Sequence, residues 1–250
     1  MALPKIKVMY HTLTLPSTGK KVRFRPFLVK EEKILMMAMQ SGETKDVISS
    51  LKDIVNNCME EDIKVNDLAM FDFEYVFLQL RARSVGDTID IKYSDPDIIC
   101  SKDNKECLFV STINIDEIKL ENITVQNDLI DITDTIKVKL RWPKVDDAAQ
   151  MGNLTGDSID QETLIESTFN MIASCIEYIM DGVDMHKPVD YTKQEVDDFL
   201  NSLSSGQFKA IQQYFEKLPK LKKDVISTCS KCGTTNVKKL EGVNDFFAWG

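Results

Sequence analysis

The sequence predicts an α+β protein: a helical body with an N-terminal β-hairpin, an inserted small antiparallel sheet and a C-terminal zinc-knuckle-like segment. Three observations carry this. Residues 66–86 (NDLAMFDFEYVFLQLRARSVG) hold apolar side chains at 68, 71, 75, 78 and 82, the helical repeat, with 73, 76, 77 and 80 filling much of the rest. Only thin polar lines remain, Asp72, Gln79 and Arg83 on one side and Glu74 and Arg81 on the other, so protein covers both flanks of this central helix. After Gly86 the repeat shortens to two, and it lengthens again after Pro143. Finally, Cys229-x-x-Cys232-Gly233 has the form of a metal-binding turn.

Taken in order, KVMYHTLTL (7–15), a turn at 16–19 and the alternating Lys21-Val22-Arg23-Phe24-Arg25 predict a hairpin that Pro26 ends. Glu31 and Glu32 suit the first turn of a helix running to Gln40. Its Met36, Met37 and Met39 read first as adaptable core filler, and any that faces outward marks a partner surface. Thr44 opens a second helix with the stripe Val47, Ile48, Leu51, Ile54, Val55 and Cys58, and Asn66 or Asp67 caps the central one. These elements form an N-terminal unit, 1–86. Alternating apolar residues from Ile89 to Leu140 predict one small antiparallel sheet in an inserted unit, 87–145. A capping box at Ser158 opens a helix expected to run through Cys175, Ile176 and Ile179 to Asp181-Gly182, and boxes at Thr192 and Ser204 open two more. The unit 146–220 is expected to pack on the N-terminal helices, and 221–250 forms the knuckle-like tail.

Composition narrows the function. The chain has 250 residues, 43% hydrophobic and 28% charged, the balance of a globular protein. No stretch approaches the ~20 apolar residues of a membrane span, and the N-terminus lacks the apolar core of a signal peptide. With that, six cysteines point to a reducing compartment and not a disulfide framework. The net charge of −9 argues against a general nucleic-acid binder, although 209–240 carries eight Lys against Glu216 and Asp224, a local +6. A zinc ribbon associated with nucleic acid is therefore the alternative reading of that tail.

A zinc ion needs four ligands, and Cys100 and Cys107, on the loop between early strands of the insert, are the cysteines outside predicted helices that remain to join Cys229 and Cys232. Their wide spacing leaves two readings open, one structural zinc shared by all four or four unligated thiols. His11 and His186 read as ordinary polar residues. No phosphate loop, dinucleotide fingerprint or nucleophile elbow is present, and the acid pairs Glu31-Glu32, Asp146-Asp147 and Asp197-Asp198 read as solvated faces. The chain is expected not to be an enzyme.

Three stretches together, VRFRPFLVKEEKILMMAMQSGE (22–43), FDFEYVFLQLRARSVGDTIDIKY (71–93) and the C-terminal FEKLPKL…CSKCG…LEGVNDFF, resemble the baseplate hub assembly proteins of T-even-type contractile-tailed bacteriophages. The resemblance runs in order over nearly the whole chain. It implies a non-enzymatic role, as hub component or assembly factor, with other baseplate hub subunits as partners. It also implies residence in the host cytoplasm during assembly and, for a retained subunit, in the tail baseplate. Cys100 and Cys107 depart from a second knuckle, which bears on any metal site.

Overall fold

The computed structural model describes residues 7–41, 44–60, 63–123, 128–147 and 161–242. It is mixed helix and sheet, with several small antiparallel sheets around three apolar cores.

The first core belongs to the N-terminal segment. Strands β1 (His11–Thr14) and β2 (Lys21–Phe24) pair antiparallel and turn Leu13, Leu15, Val22 and Phe24 inward. Helix α1 (Val29–Ser41) and helix α2 (Thr44–Cys58) follow, and α2 buries Leu51, Ile54, Val55 and Cys58 in that core. A short 3-10 turn, Val65–Asp67, precedes helix α3 (Met70–Ser84). The helix N-cap is Ala69, without a capping side chain, and not Asn66 or Asp67. Its first orphan amide is met by tertiary structure instead, since Met70 N–H donates to the Pro143 carbonyl at 2.9 Å.

Helix α3 is central, as its two-sided apolar pattern predicts. Phe73, Val76, Phe77 and Leu80 face the first core, while Leu78 and Ala82 face the second. Its buried Asp72 accepts hydrogen bonds from the Ser17 amide, at 3.0 Å, and from the Ser17 hydroxyl, which fastens the β1–β2 turn to the helix.

Two acids expected on solvated faces are buried. Glu31 accepts from the Arg25 guanidinium at 2.9 Å and from the Leu28 amide at 2.8 Å, and Arg25 also reaches the Asn57 carbonyl. Burial alone would raise the Glu31 carboxyl, but the bonds from Arg25, Leu28 and Lys30 outweigh it and hold it below its ordinary value. A depressed carboxyl stabilises the fold above the unfolded value near 4.5 and loses that contribution as pH falls through the folded value. Glu31→Gln should therefore cost about 2 kcal/mol at neutral pH. The gap to wild type in urea unfolding should shrink below about pH 4. Asp147 likewise accepts both guanidinium nitrogens of Arg141, at 2.7 and 3.1 Å, and the Lys144 amide at 2.7 Å.

The expected single inserted sheet is three partnerships. Strands β3 (Thr88–Ile99) and β4 (Glu106–Asn114) form a long hairpin. Strand β5 (Lys119–Glu121) pairs with the C-terminal hairpin described below. Strands β6 (Leu129–Asp131) and β7 (Ile136–Leu140) continue into β8 (Ile176–Asp181) and β9 (Asp184–His186), a four-stranded sheet in the order β6-β7-β8-β9. The helix expected to reach residue 181 thus stops early, as α4 (Gln161–Ser174), and Cys175 lies just beyond it, buried. β-branched Ile176 and Ile179 with Tyr178 suit a strand, and Gly182, at φ +59°, turns it back onto β9.

Helices α5 (Lys193–Ser202) and α6 (Ser205–Glu216) open with the predicted capping boxes at Thr192 and Ser204. The box expected at Ser158 lies outside the described residues. Among the described residues, helices α4–α6 bury Ile172, Val196, Leu200, Ile211 and Tyr214 against Val138, Leu140, Ile176 and Ile179, so this core is made with the four-stranded sheet. The segment 141–147 links the two units: Trp142 packs edge-on to Phe71 at 5.1 Å, and Val145 enters the first core.

The basic tail, expected as a knuckle-like segment, carries its cysteine turn at the tip of a hairpin. Strands β10 (Lys220–Thr228) and β11 (Thr235–Glu241) pair with each other, β10 takes β5 on its other edge, and Leu221, Val225 and Leu240 join the second core with Ile89, Ile91 and Phe109.

Candidate metal centre

The four cysteines proposed from sequence meet at the ends of two hairpins. Cys100 opens the turn between β3 and β4, and Cys107 is the second residue of β4. Cys229 and Cys232 occupy the turn between β10 and β11. All four sulfurs lie within 4.8 Å of one another, with Cys107 Sγ and Cys232 Sγ at 3.5 Å. Cys100, Cys107 and Cys229 are buried and Cys232 is half-buried. Among the described residues this is the one such group, and neither His11 nor His186 belongs to it.

The two turns repeat each other. Residues 100–104 read CSKDN and residues 229–233 read CSKCG. In the first, Cys100 N–H donates to Lys105 O at 2.7 Å and Asn104 N–H to Cys100 O at 3.0 Å. In the second, Cys229 N–H donates to Thr234 O at 2.8 Å and Gly233 N–H to Cys229 O at 2.9 Å. Each turn needs a residue with positive φ at its fifth position, supplied by Asn104 (φ 58°) and Gly233 (φ 79°). Asp103 stands where the second turn has Cys232, and Cys107, on the following strand, provides the missing sulfur. The tripeptide Cys-Ser-Lys at 100–102 and 229–231 was the sequence signal for this pairing, and spacing between cysteines alone does not reveal it.

The electrostatics of the cluster are asymmetric. Burial, reinforced by the neighbouring thiols of Cys232 and Cys229, pushes Cys107 up to about 12. Cys232 is drawn down to about 6, chiefly because the Thr234 hydroxyl, 3.2 Å away, and the Thr234 backbone stabilise its thiolate. Lys231 of one turn pairs with Asp103 of the other, which places a cation beside the sulfurs.

Chemically, this donor set suits a tetrahedral soft-metal site. Four sulfurs at the ~2.3 Å Zn–S distance lie about 3.8 Å from one another, within the spread seen here. Four thiolates fill a zinc ion and leave no open position for water or substrate.

Four of the eight lysines of 209–240, counting Lys231 with Asp103, pair with acids nearby. Lys220 pairs with Glu241 at 2.6 Å, Lys222 approaches Glu121 and Glu241, Lys223 pairs with Glu117 at 2.6 Å, and Lys238 lies over the Tyr93 ring. The local +6 is thereby offset in part by Glu121 of β5, Glu241 of β11 and Glu117 of the turn before β5.

A different surface sits on α1. Val29, Ile34, Met36 and Met37 all project outward, the two methionines 58% and 62% exposed, on an arc shared with Lys30, Lys33 and Gln40. The side chain of Met39 lies outside the described residues.

Among the described residues no helix is long and apolar enough to cross a membrane. No curated protein and no solved structure gives a significant match to the chain. Residues 8–248 match the model of the family described as T4 bacteriophage base plate protein. That span takes in the central helix, both cysteine turns and the α1 face. The chain belongs to the T4 bacteriophage base plate protein family.

Proposed function

We propose that the chain is a non-enzymatic component or assembly factor of the baseplate central hub, acting through protein–protein contacts in the host cytoplasm and, where retained, in the tail baseplate. The observation that carries this reading, beside the family, is the outward apolar face of α1. Exposed methionines form an adaptable surface, and a helix face that is half apolar and interspersed with Lys30 and Lys33 suits a partner helix or groove. Cys100, Cys107, Cys229 and Cys232 would hold one structural zinc, pinning the β10–β11 hairpin to the β3–β4 hairpin. The metal would supply cross-linking and no reaction chemistry, and the adjacent Lys231 would offset part of the charge of four thiolates.

Co-expression with baseplate hub subunits followed by size exclusion tests this reading. One or more hub subunits should co-elute, with little dependence on salt, as expected of a mainly apolar interface. If none co-elutes while short duplex DNA binds with a steep loss of affinity in salt, the zinc-ribbon alternative replaces it. The ion-paired lysines of β10 support the first outcome.

A further inference from the structure

The likeness of the two cysteine turns extends from backbone to side chains. At 100–104 and again at 229–233 the first residue is buried, the second and third are exposed, the fourth is half-buried and the fifth is exposed. The fourth side chain also meets the same neighbour in both turns. Lys105 N–H donates to Asp103 Oδ1 at 3.3 Å, and the backbone of Thr234, likewise two residues on, stabilises the Cys232 thiolate. Position 103 is thus built as position 232 is. Asp103 spends its carboxylate on the opposite turn, where it pairs with Lys231. That pairing chiefly holds the carboxyl below its ordinary value, and the Cys100 thiol adds to the effect, which puts the side chain beside the sulfurs. The fourth sulfur comes instead from Cys107, fully buried on β4.

Resting on the four-cysteine zinc reading, we propose that residue 103 is a fifth ligand position of the metal centre, equivalent to Cys232 and given in this chain to a carboxylate that clasps the opposite turn. A thiol at 103 reaches the metal without rearranging the backbone, because Asn104, at φ 58°, already supplies the left-handed residue that Gly233 supplies in the other turn. The choice of Cys107 has a mechanical consequence. Ligands at 100 and 107 let the metal grip both the turn and strand β4, which carries Phe109 into the second core, whereas ligands at 100 and 103 would hold the turn alone.

Cobalt(II) enters tetrahedral thiolate sites and reports the number of sulfurs around it through its sulfur-to-metal charge-transfer absorption. Loaded with cobalt(II), wild type should show the four-thiolate band, and Cys107→Ser a weaker band that a competing chelator erases. Cys107→Ser/Asp103→Cys should regain the wild-type band and hold the metal against the chelator. Cys107→Ser/Asp103→Asn, which removes the charge without adding a thiol, should behave as Cys107→Ser does. A Cys107→Ser/Asp103→Cys protein no better than Cys107→Ser overturns the proposal. Recovery with Asp103→Asn overturns it as well, since loss of charge and not a new ligand would then account for the effect. Should serine at the buried position 107 prevent folding, Cys107→Val keeps that position apolar and enters the same comparison. Wild type that takes up no cobalt removes the zinc reading together with the proposal, whereas wild type that binds while Asp103→Cys rescues nothing removes the proposal alone.

Discussion

Protein purified without chelator should carry about one zinc per chain by elemental analysis, and Cys232→Ser should lose it. Cys232 is the cysteine to change because it is half-buried, so the substitution removes a ligand without opening the apolar core that Cys107 and Cys229 help to fill. Structural zinc contributes on the order of 10 kcal/mol in small domains that fold only with metal. The effect here should be smaller, because Ile89, Ile91, Phe109, Leu221, Val225 and Leu240 already join the two hairpins through an apolar core. A bound metal would add closure at the hairpin tips, where the chain segments are more than a hundred residues apart. Chelation or Cys232→Ser should lower thermal stability and expose the 229–234 turn to protease. Acid should release the metal, since protons compete for thiolates. A metal-free wild type whose four thiols titrate freely in the native state would remove the site and leave the family assignment untouched.

Phe77→Ala should destabilise the protein by about 3–5 kcal/mol in urea unfolding. Phe77 is fully buried in α3 and packs into the first core, whereas its neighbour Leu78 packs into the second. Leu78→Ala should cost about 2–5 kcal/mol by the same cavity mechanism, so two adjacent residues report on two different cores. A loss below about 1 kcal/mol for Phe77→Ala would mean that α3 is not the shared wall between them.

Helices with strong one-sided or two-sided apolar repeats were legible from sequence, because periodicity reports burial directly. α2 and α3 appear close to where their stripes place them, and the capping boxes at Thr192 and Ser204 mark real helix starts. What pattern does not carry is partnership. Strands β5 and β7 read correctly as strands, but β5 pairs with β10 and β7 with β8, both from the far half of the chain. Ile176 and Ile179 are three apart, a spacing that extends a helix on paper, and Asp181-Gly182 serves equally as a helix stop or a hairpin turn. The acids Glu31 and Asp147 read as solvated because their cationic partners, Arg25 and Arg141, lie six residues away across a turn. All four cysteines were identifiable as candidates, yet their convergence depends on β3–β4 and β10–β11 lying side by side, a long-range fact that only the repeated Cys-Ser-Lys foreshadows.

The proposed binding of baseplate hub subunits through α1 is tested by co-expressing those subunits with wild type and with Met36→Glu/Met37→Glu and comparing elution. Both methionines are exposed, so the double variant should keep the wild-type melting temperature and metal content. Wild type should co-elute with a hub subunit and the variant should elute alone. A wild type that binds no hub subunit, or a variant that co-elutes as wild type does, would contradict it.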